Sequence, residues 1–147
     1  KYYLSETYIN TLRNHKARHE SKGNGFGYEI IPKNGTANAV VCGGMGRERN
    51  LVYDFRLKDF TPITNIRGEV NKEGIRKMTP REWARLQGFP DNYKIVVSDA
   101  QAYKQFGNSV AVPAIQATAK KIIDNLKTLW LQEIRVNGVK FTHYSNY

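Results

Sequence analysis

The stretch MTPREWARLQGFPDNY, residues 78–93, carries start and stop signals for a single short helix. Thr79 is an N-cap, Pro80 takes the first helical position where its missing N–H costs nothing, and Glu82 completes a capping box. Gly88 can close the helix in a left-handed conformation, and Pro90 forbids continuation. Trp83 and Leu86 share one face, and Arg81 and Arg85 share another. A chain punctuated this firmly must build its surroundings around that helix.

The segment SDAQAYKQFG repeats the logic, with Ser98 and Gln101 at its start and Gly107 at its end. A long periodic run follows, in which Ile115, Ala119, Ile122, Ile123, Leu126 and Trp130 form an apolar stripe. Pro113 is tolerated only near a helix start, so this helix is expected to begin just after the Gly107-Asn108-Ser109 turn.

The first half reads differently. Residues 5–21 are expected to be helical, capped by Ser5 and ended by Gly23, with Tyr8, Ile9 and Leu12 on one face. Arg13, Lys16, Arg18 and Lys22, interspersed with His15 and His19, line the opposite face. Then come a short apolar run to Pro32 with an Asn34-Gly35 hairpin turn, and strands at Ala39–Cys42 and Leu51–Phe55 around a glycine-rich turn. Residues 57–74 are mixed and turn-rich, and the tail after residue 136 is a short turn-plus-strand or is disordered.

Charge narrows the partners. The formal net charge is +10 over 147 residues, which suggests an anionic partner, nucleic acid first. No run approaches the ~20 apolar residues of a membrane span, so no membrane partner is expected. No signal-peptide pattern is present, and the chain does not begin with Met, which hints at a fragment. The single cysteine, Cys42, excludes internal disulfides and zinc clusters and fits a reducing cytoplasm; no metal site is expected.

The blocks RKMTPREWARLQGFPDNY and QAYKQFGNSVAVPAI, in that order and joined by KIVVSDA, closely resemble the last two conserved blocks of the DNA cytosine-5 methyltransferases. The resemblance is firm over residues 76–123 and looser upstream, where the family keeps a variable target-recognition region. The family's glycine-rich cofactor loop, Pro-Cys nucleophile loop, Glu-Asn-Val block and arginine block are absent from this sequence, and Cys42 has no proline before it. The resemblance therefore implies the C-terminal part of a bacterial restriction-modification enzyme. It carries no catalytic residue of its own; a stand-alone DNA-binding module or the small subunit of a split methyltransferase is the alternative.

What the resemblance implies follows residue by residue. The family's thiolate attacks C6 of cytosine so that C5 can take a methyl group from S-adenosyl-L-methionine, and the base must first leave the duplex. Double-stranded DNA would be gripped by Gly43, Gly44, Gly46, Arg47 and Arg49, where glycines permit close approach and arginine can pair with guanine. Arg13 and Lys16 on the first helix would meet phosphates. Thr79, Pro80, Arg81, Glu82, Gly88 and Gly107 are structural, Gly107 by supplying a conformation that other residues resist. Asn108, Ser109 and Val110 would line the S-adenosyl-L-methionine pocket, the first two at the N-terminus of the long helix, whose dipole favours the donor's carboxylate.

The expected fold is α+β: a small β-rich recognition domain with short helices over residues 1–97, a motif and helix belonging to the catalytic side over 98–130, and a tail over 131–147. The last helix would pack on an α/β catalytic domain, on a second copy, or back on this chain. The expected location is the bacterial cytoplasm.

Overall fold

Ser5 starts the first helix as its sequence context suggests, its backbone extended and its Oγ accepting the Tyr8 N–H. The computed structural model describes residues 1–43, 46–60 and 68–136, with side chains to 132. In chain order it has α1 (Glu6–Glu20), β1 (Leu51–Tyr53), β2 (Ile75–Lys77), α2 (Pro80–Leu86), α3 (Asp99–Asn108) and α4 (Val112–Val136). The chain divides into two units, residues 1–110 and 111–147. Helices together with a small two-stranded sheet bear out the α+β expectation.

β1 and β2 pair antiparallel, with Leu51 opposite Lys77, Val52 opposite Arg76 and Tyr53 opposite Ile75. Single bridges widen this ribbon on both sides: Tyr3 pairs antiparallel with Arg76, and Ile30 pairs parallel with Leu51. Several sequence expectations fail here. No strand forms at residues 39–42, and the Pro32–Gly35 turn, closed by the Gly35 N–H on the Pro32 carbonyl at 2.9 Å, joins no hairpin. The segment before that turn instead pairs with β1, through Ile31 N–H to Leu51 O at 2.8 Å and Leu51 N–H to Glu29 O at 2.9 Å. The expected tail strand lies outside the described residues.

Two apolar clusters fill the first unit. Leu4, Ile9, Leu12, Leu51 and Ile75 join α1 to the ribbon. Asn71 is buried within this layer, where its amide donates to the carbonyls of Leu4 (2.7 Å) and Ile75 (2.8 Å) and accepts the Ile75 N–H (2.8 Å). The second cluster joins α2 to α3 through Trp83, Ala84, Ala102, Tyr103 and Phe106. Trp83 and Tyr103 meet edge to face, ring centroids 4.9 Å apart, and Phe89 packs similarly on Phe106 at 5.3 Å.

α2 keeps the predicted punctuation in full. Thr79 Oγ1 accepts the Glu82 N–H at 3.2 Å, Glu82 Oε2 accepts the Thr79 N–H at 2.6 Å, and Gly88 sits at φ 77°. Glu82 also receives Arg76, through Nη2 to Oε1 at 2.8 Å and Nη1 to Oε2 at 2.9 Å. Arg76 Nε donates to Asp54 Oδ2 at 2.8 Å, so one guanidinium on β2 ties the end of β1 to the start of α2. Trp83 is buried while Leu86 is 41% exposed, so the two residues expected on one face separate at its edge.

α4 stands in the second unit. Pro113 is its second residue, as a proline near a helix start should be, and Ile115, Ile122, Ile123, Leu126 and Trp130 along it are all at least half exposed. Among the described residues no helix is long and apolar enough to cross a membrane.

Two outcomes test this frame. Asn71→Ala leaves the Ile75 N–H without its acceptor, so a loss of about 2–3 kcal/mol is expected from urea unfolding, against under about 0.5 if the side chain were incidental. Hydrogen bonds from Arg56 and then Arg76 hold the Asp54 carboxyl well below its ordinary value. Burial pushes Glu82 up, but Arg76 and the Thr79 N–H outweigh it and leave that carboxyl lowered too. The stability these groups add is complete above their unfolded values near ~4 and falls as pH drops through the folded ones, because the unfolded chain takes up protons first. Unfolding midpoints should therefore decline below about pH 4, and Asp54→Asn should flatten that decline.

Candidate functional site

Residues 46–50 alternate in burial, and the alternation decides which side chains reach outward. Gly46, Glu48 and Asn50 are buried, whereas Arg47 is exposed and Arg49 half-buried. Glu48 Oε1 accepts the Tyr8 hydroxyl at 3.0 Å and pairs with Lys77 Nζ at 2.7 Å. Burial, then the Glu48 carboxylate, pushes the Tyr8 hydroxyl up to about 12. Asn50 clasps the Asn38 backbone, its Oδ1 accepting the N–H at 2.9 Å and its Nδ2 donating to the carbonyl at 3.1 Å. At Gly46 a Cβ would overlap the Val41 carbonyl oxygen, so the turn closes only without a side chain. Gly43, whose carbonyl accepts the Gly46 N–H at 3.1 Å, completes the turn, and Gly44 lies outside the described residues.

The two arginines raised on this frame part company. The Arg47 guanidinium carbon lies 5.6 Å from the Tyr103 ring centroid, towards α3. That of Arg49 lies 6.0 Å from Phe26, whose ring is 6.0 Å from His19 on α1. Neither forms an ion pair among the described residues. Although only two apart in sequence, they diverge, Arg47 towards Tyr103 on α3 and Arg49 towards Phe26.

α1 is less uniformly available than its row of charges suggests. Arg13 is bound to Glu73 at 2.5 Å and lies 3.8 Å from Glu6, so its charge is largely met within the chain. The Lys16 ammonium sits 5.4 Å from the Tyr28 ring centroid. Arg18 and Lys22 are exposed and form no ion pair among the described residues. Arg81 and Arg85 close the turn after α2: Arg81 donates to the carbonyls of Pro90 and Tyr93, and Arg85 Nε to Asp91 Oδ1 at 2.7 Å.

The segment 107–110 differs from its expected form. Gly107 does not end a helix in a left-handed conformation, since α3 runs through it to Asn108 and its φ is not positive. Its lack of a side chain serves close approach: a Cβ there would stand 2.6 Å from the Cys42 amide nitrogen. α3 thus lies directly against the backbone that leads into the 43–50 turn. Asn108 and Ser109 belong to the C-terminus of α3, the electronegative end, and α4 begins only at Val112. The Ser109 hydroxyl donates back to the Phe106 carbonyl at 2.8 Å, and the Ser109 carbonyl accepts Gln87 Nε2 at 3.3 Å. Sequence reading missed the seat of Cys42 and the inward pair Glu48 and Asn50. The in-out alternation of GRERN was the signal that could have found the latter.

Gly107→Ala should displace the Cys42 backbone and cost about 1–3 kcal/mol in urea unfolding, the usual range for an overpacked contact. Gly23→Ala, at a helix end with open space around it, should cost only what its positive φ imposes, ~1 kcal/mol. Equal costs would remove the close-contact role of Gly107.

Comparison with known proteins identifies the family. The family model for C-5 cytosine-specific DNA methylase matches residues 1–124. The chain is 78% identical over 130 residues to Type II methyltransferase M.HpaII of Haemophilus parainfluenzae, covering 88% of this chain and 36% of that protein. Type II methyltransferase M.SsoII of Shigella sonnei is 42% identical over 126 residues, covering 86% of this chain and 30% of that protein. The DNA-cytosine methyltransferase of Escherichia coli (strain K12) is 34% identical over 135 residues, covering 86% and 29% respectively. The chain thus spans roughly a third of the length of these relatives. With the match running from the first residue through α2 and α3, the chain belongs to the C-5 cytosine-specific DNA methylase family.

Proposed function

We propose that this chain is the part of a bacterial restriction-modification cytosine-5 methyltransferase that holds duplex DNA and closes one side of the methyl-donor pocket. The observation that carries the reading is the contact at Gly107, which seats α3 against the backbone leading to Arg47 and Arg49. One end of a rigid element thereby braces a basic turn, while its other function is to present Asn108 to Val110. The net charge of +10 supplies the long-range attraction such a role needs.

S-adenosyl-L-methionine supplies the methyl group in this chemistry, and the residues here fit only one edge of its pocket. Asn108 and Val110 are exposed and can form a wall. The Ser109 hydroxyl donates to the Phe106 carbonyl, so it is not the group that receives the donor's carboxylate. The exposed apolar side chains of α4 are the docking face for the catalytic domain, since burying each Ile or Leu is worth ~1.5–3 kcal/mol.

The 147-residue chain alone, given S-adenosyl-L-methionine and cytosine-containing duplex, should transfer no methyl group; a polypeptide supplying the Pro-Cys loop and cofactor loop should restore transfer. In the restored system Arg49→Ala should lower discrimination between target and random duplex by roughly 10-fold, the worth of one base contact. Methylation by the chain alone, or no restoration on mixing, would end the reading.

A further inference from the structure

Between the segment 41–43, Arg47 and the outer side of α3 lies a cavity of about 360 Å³. That is roughly ten times the ~30 Å³ that a water molecule occupies in the liquid, so the space admits a chemical group rather than one solvent molecule. Its floor is aromatic, from Trp83 and Tyr103, and its rim carries Cys42, Arg47 and Lys104.

The charge of that rim is one-sided. Among the described residues no carboxylate lines the cavity, and neither Arg47 nor Lys104 forms an ion pair. Trp83, which is 1% exposed, carries a buried Nε1–H with no hydrogen-bond acceptor among the described residues. Two cationic side chains with no carboxylate partner on one rim suit an anion. The aromatic floor suits one that brings carbon with it, as a phosphodiester brings its sugars.

We propose that this cavity seats one backbone phosphodiester of bound DNA, gripped by Arg47 from the turn and Lys104 from α3. The inference rests on the DNA-holding role proposed above and assigns residues within it. Arg47 then positions the duplex, and base reading on this turn falls to Arg49, which points away from the cavity towards Phe26. Lys104 becomes a DNA contact supplied by the same helix that ends at Asn108. Phosphate binding and the edge of the donor pocket are thereby carried on one rigid element.

The test uses the full methyltransferase that carries this chain. Lys104→Gln and Arg47→Gln should each reduce the slope of log affinity against log salt by about 0.9, because one fewer counterion is displaced. Both should weaken target and random duplex by the same factor, and Lys104→Arg should keep the parent slope. Cys42, on the cavity rim, gives a second readout: duplex should slow its alkylation, followed by mass spectrometry of its peptide, while inorganic phosphate at equal ionic strength should not. An unchanged slope in Lys104→Gln, or a loss confined to the target sequence, overturns the assignment. Protection by inorganic phosphate and not by duplex overturns it too, making this a free-phosphate site. If the parent protein itself binds duplex without salt dependence, the DNA-holding reading fails first and this inference falls with it.

Discussion

One guanidinium holds the first unit in register. Arg76 lies on β2 with its side chain about one-tenth exposed, and it meets Asp54 beyond β1 and Glu82 in the first turn of α2. Burying such a charge is costly, and only the full set of partners offsets the cost; removing one partner of a buried pair typically loses ~3–5 kcal/mol. Glu82 answers both Arg76 and the Thr79 N–H, so helix capping and tertiary attachment use the same carboxylate. The direction of α2 follows from that double engagement. Trp83 follows from α2, Tyr103 and α3 follow from Trp83, and the backbone of Cys42 rests on α3 at Gly107.

The helices were legible because their signals are local. Ser5, Thr79 and Ser98 each cap the helix that their sequence context predicted, and Gly88 ends α2 in the positive-φ conformation expected of it. The sheet was not. β1 and β2 are three residues each and are stabilised by partners far away in sequence, including residues 2–4 at the start of the chain. No period-of-two pattern can develop over so short a span. Asn34-Gly35 misled for the same reason, since a turn can form without the flanking runs pairing to each other.

The candidate site was half legible. Charge and family resemblance singled out Arg47 and Arg49, but their divergence is set by Glu48 and Asn50, whose burial depends on Tyr8, Lys77 and Asn38. Arg13 looked free in a row of basic residues and is held by Glu73, sixty residues on. Gly107 was noticed for the wrong property. A glycine that serves torsion and one that serves clearance look identical in sequence; only the neighbour at Cys42 separates them.

The clearance at Gly107 bears on how the 38–50 segment could be exchanged among such proteins. A borrowed 38–50 segment would arrive with its own backbone path, and any path that bulges near position 42 would collide with α3. The portable module is therefore the segment together with its helical backrest, and chimeras that exchange the loop by itself should fold poorly even when every outward-facing side chain is kept.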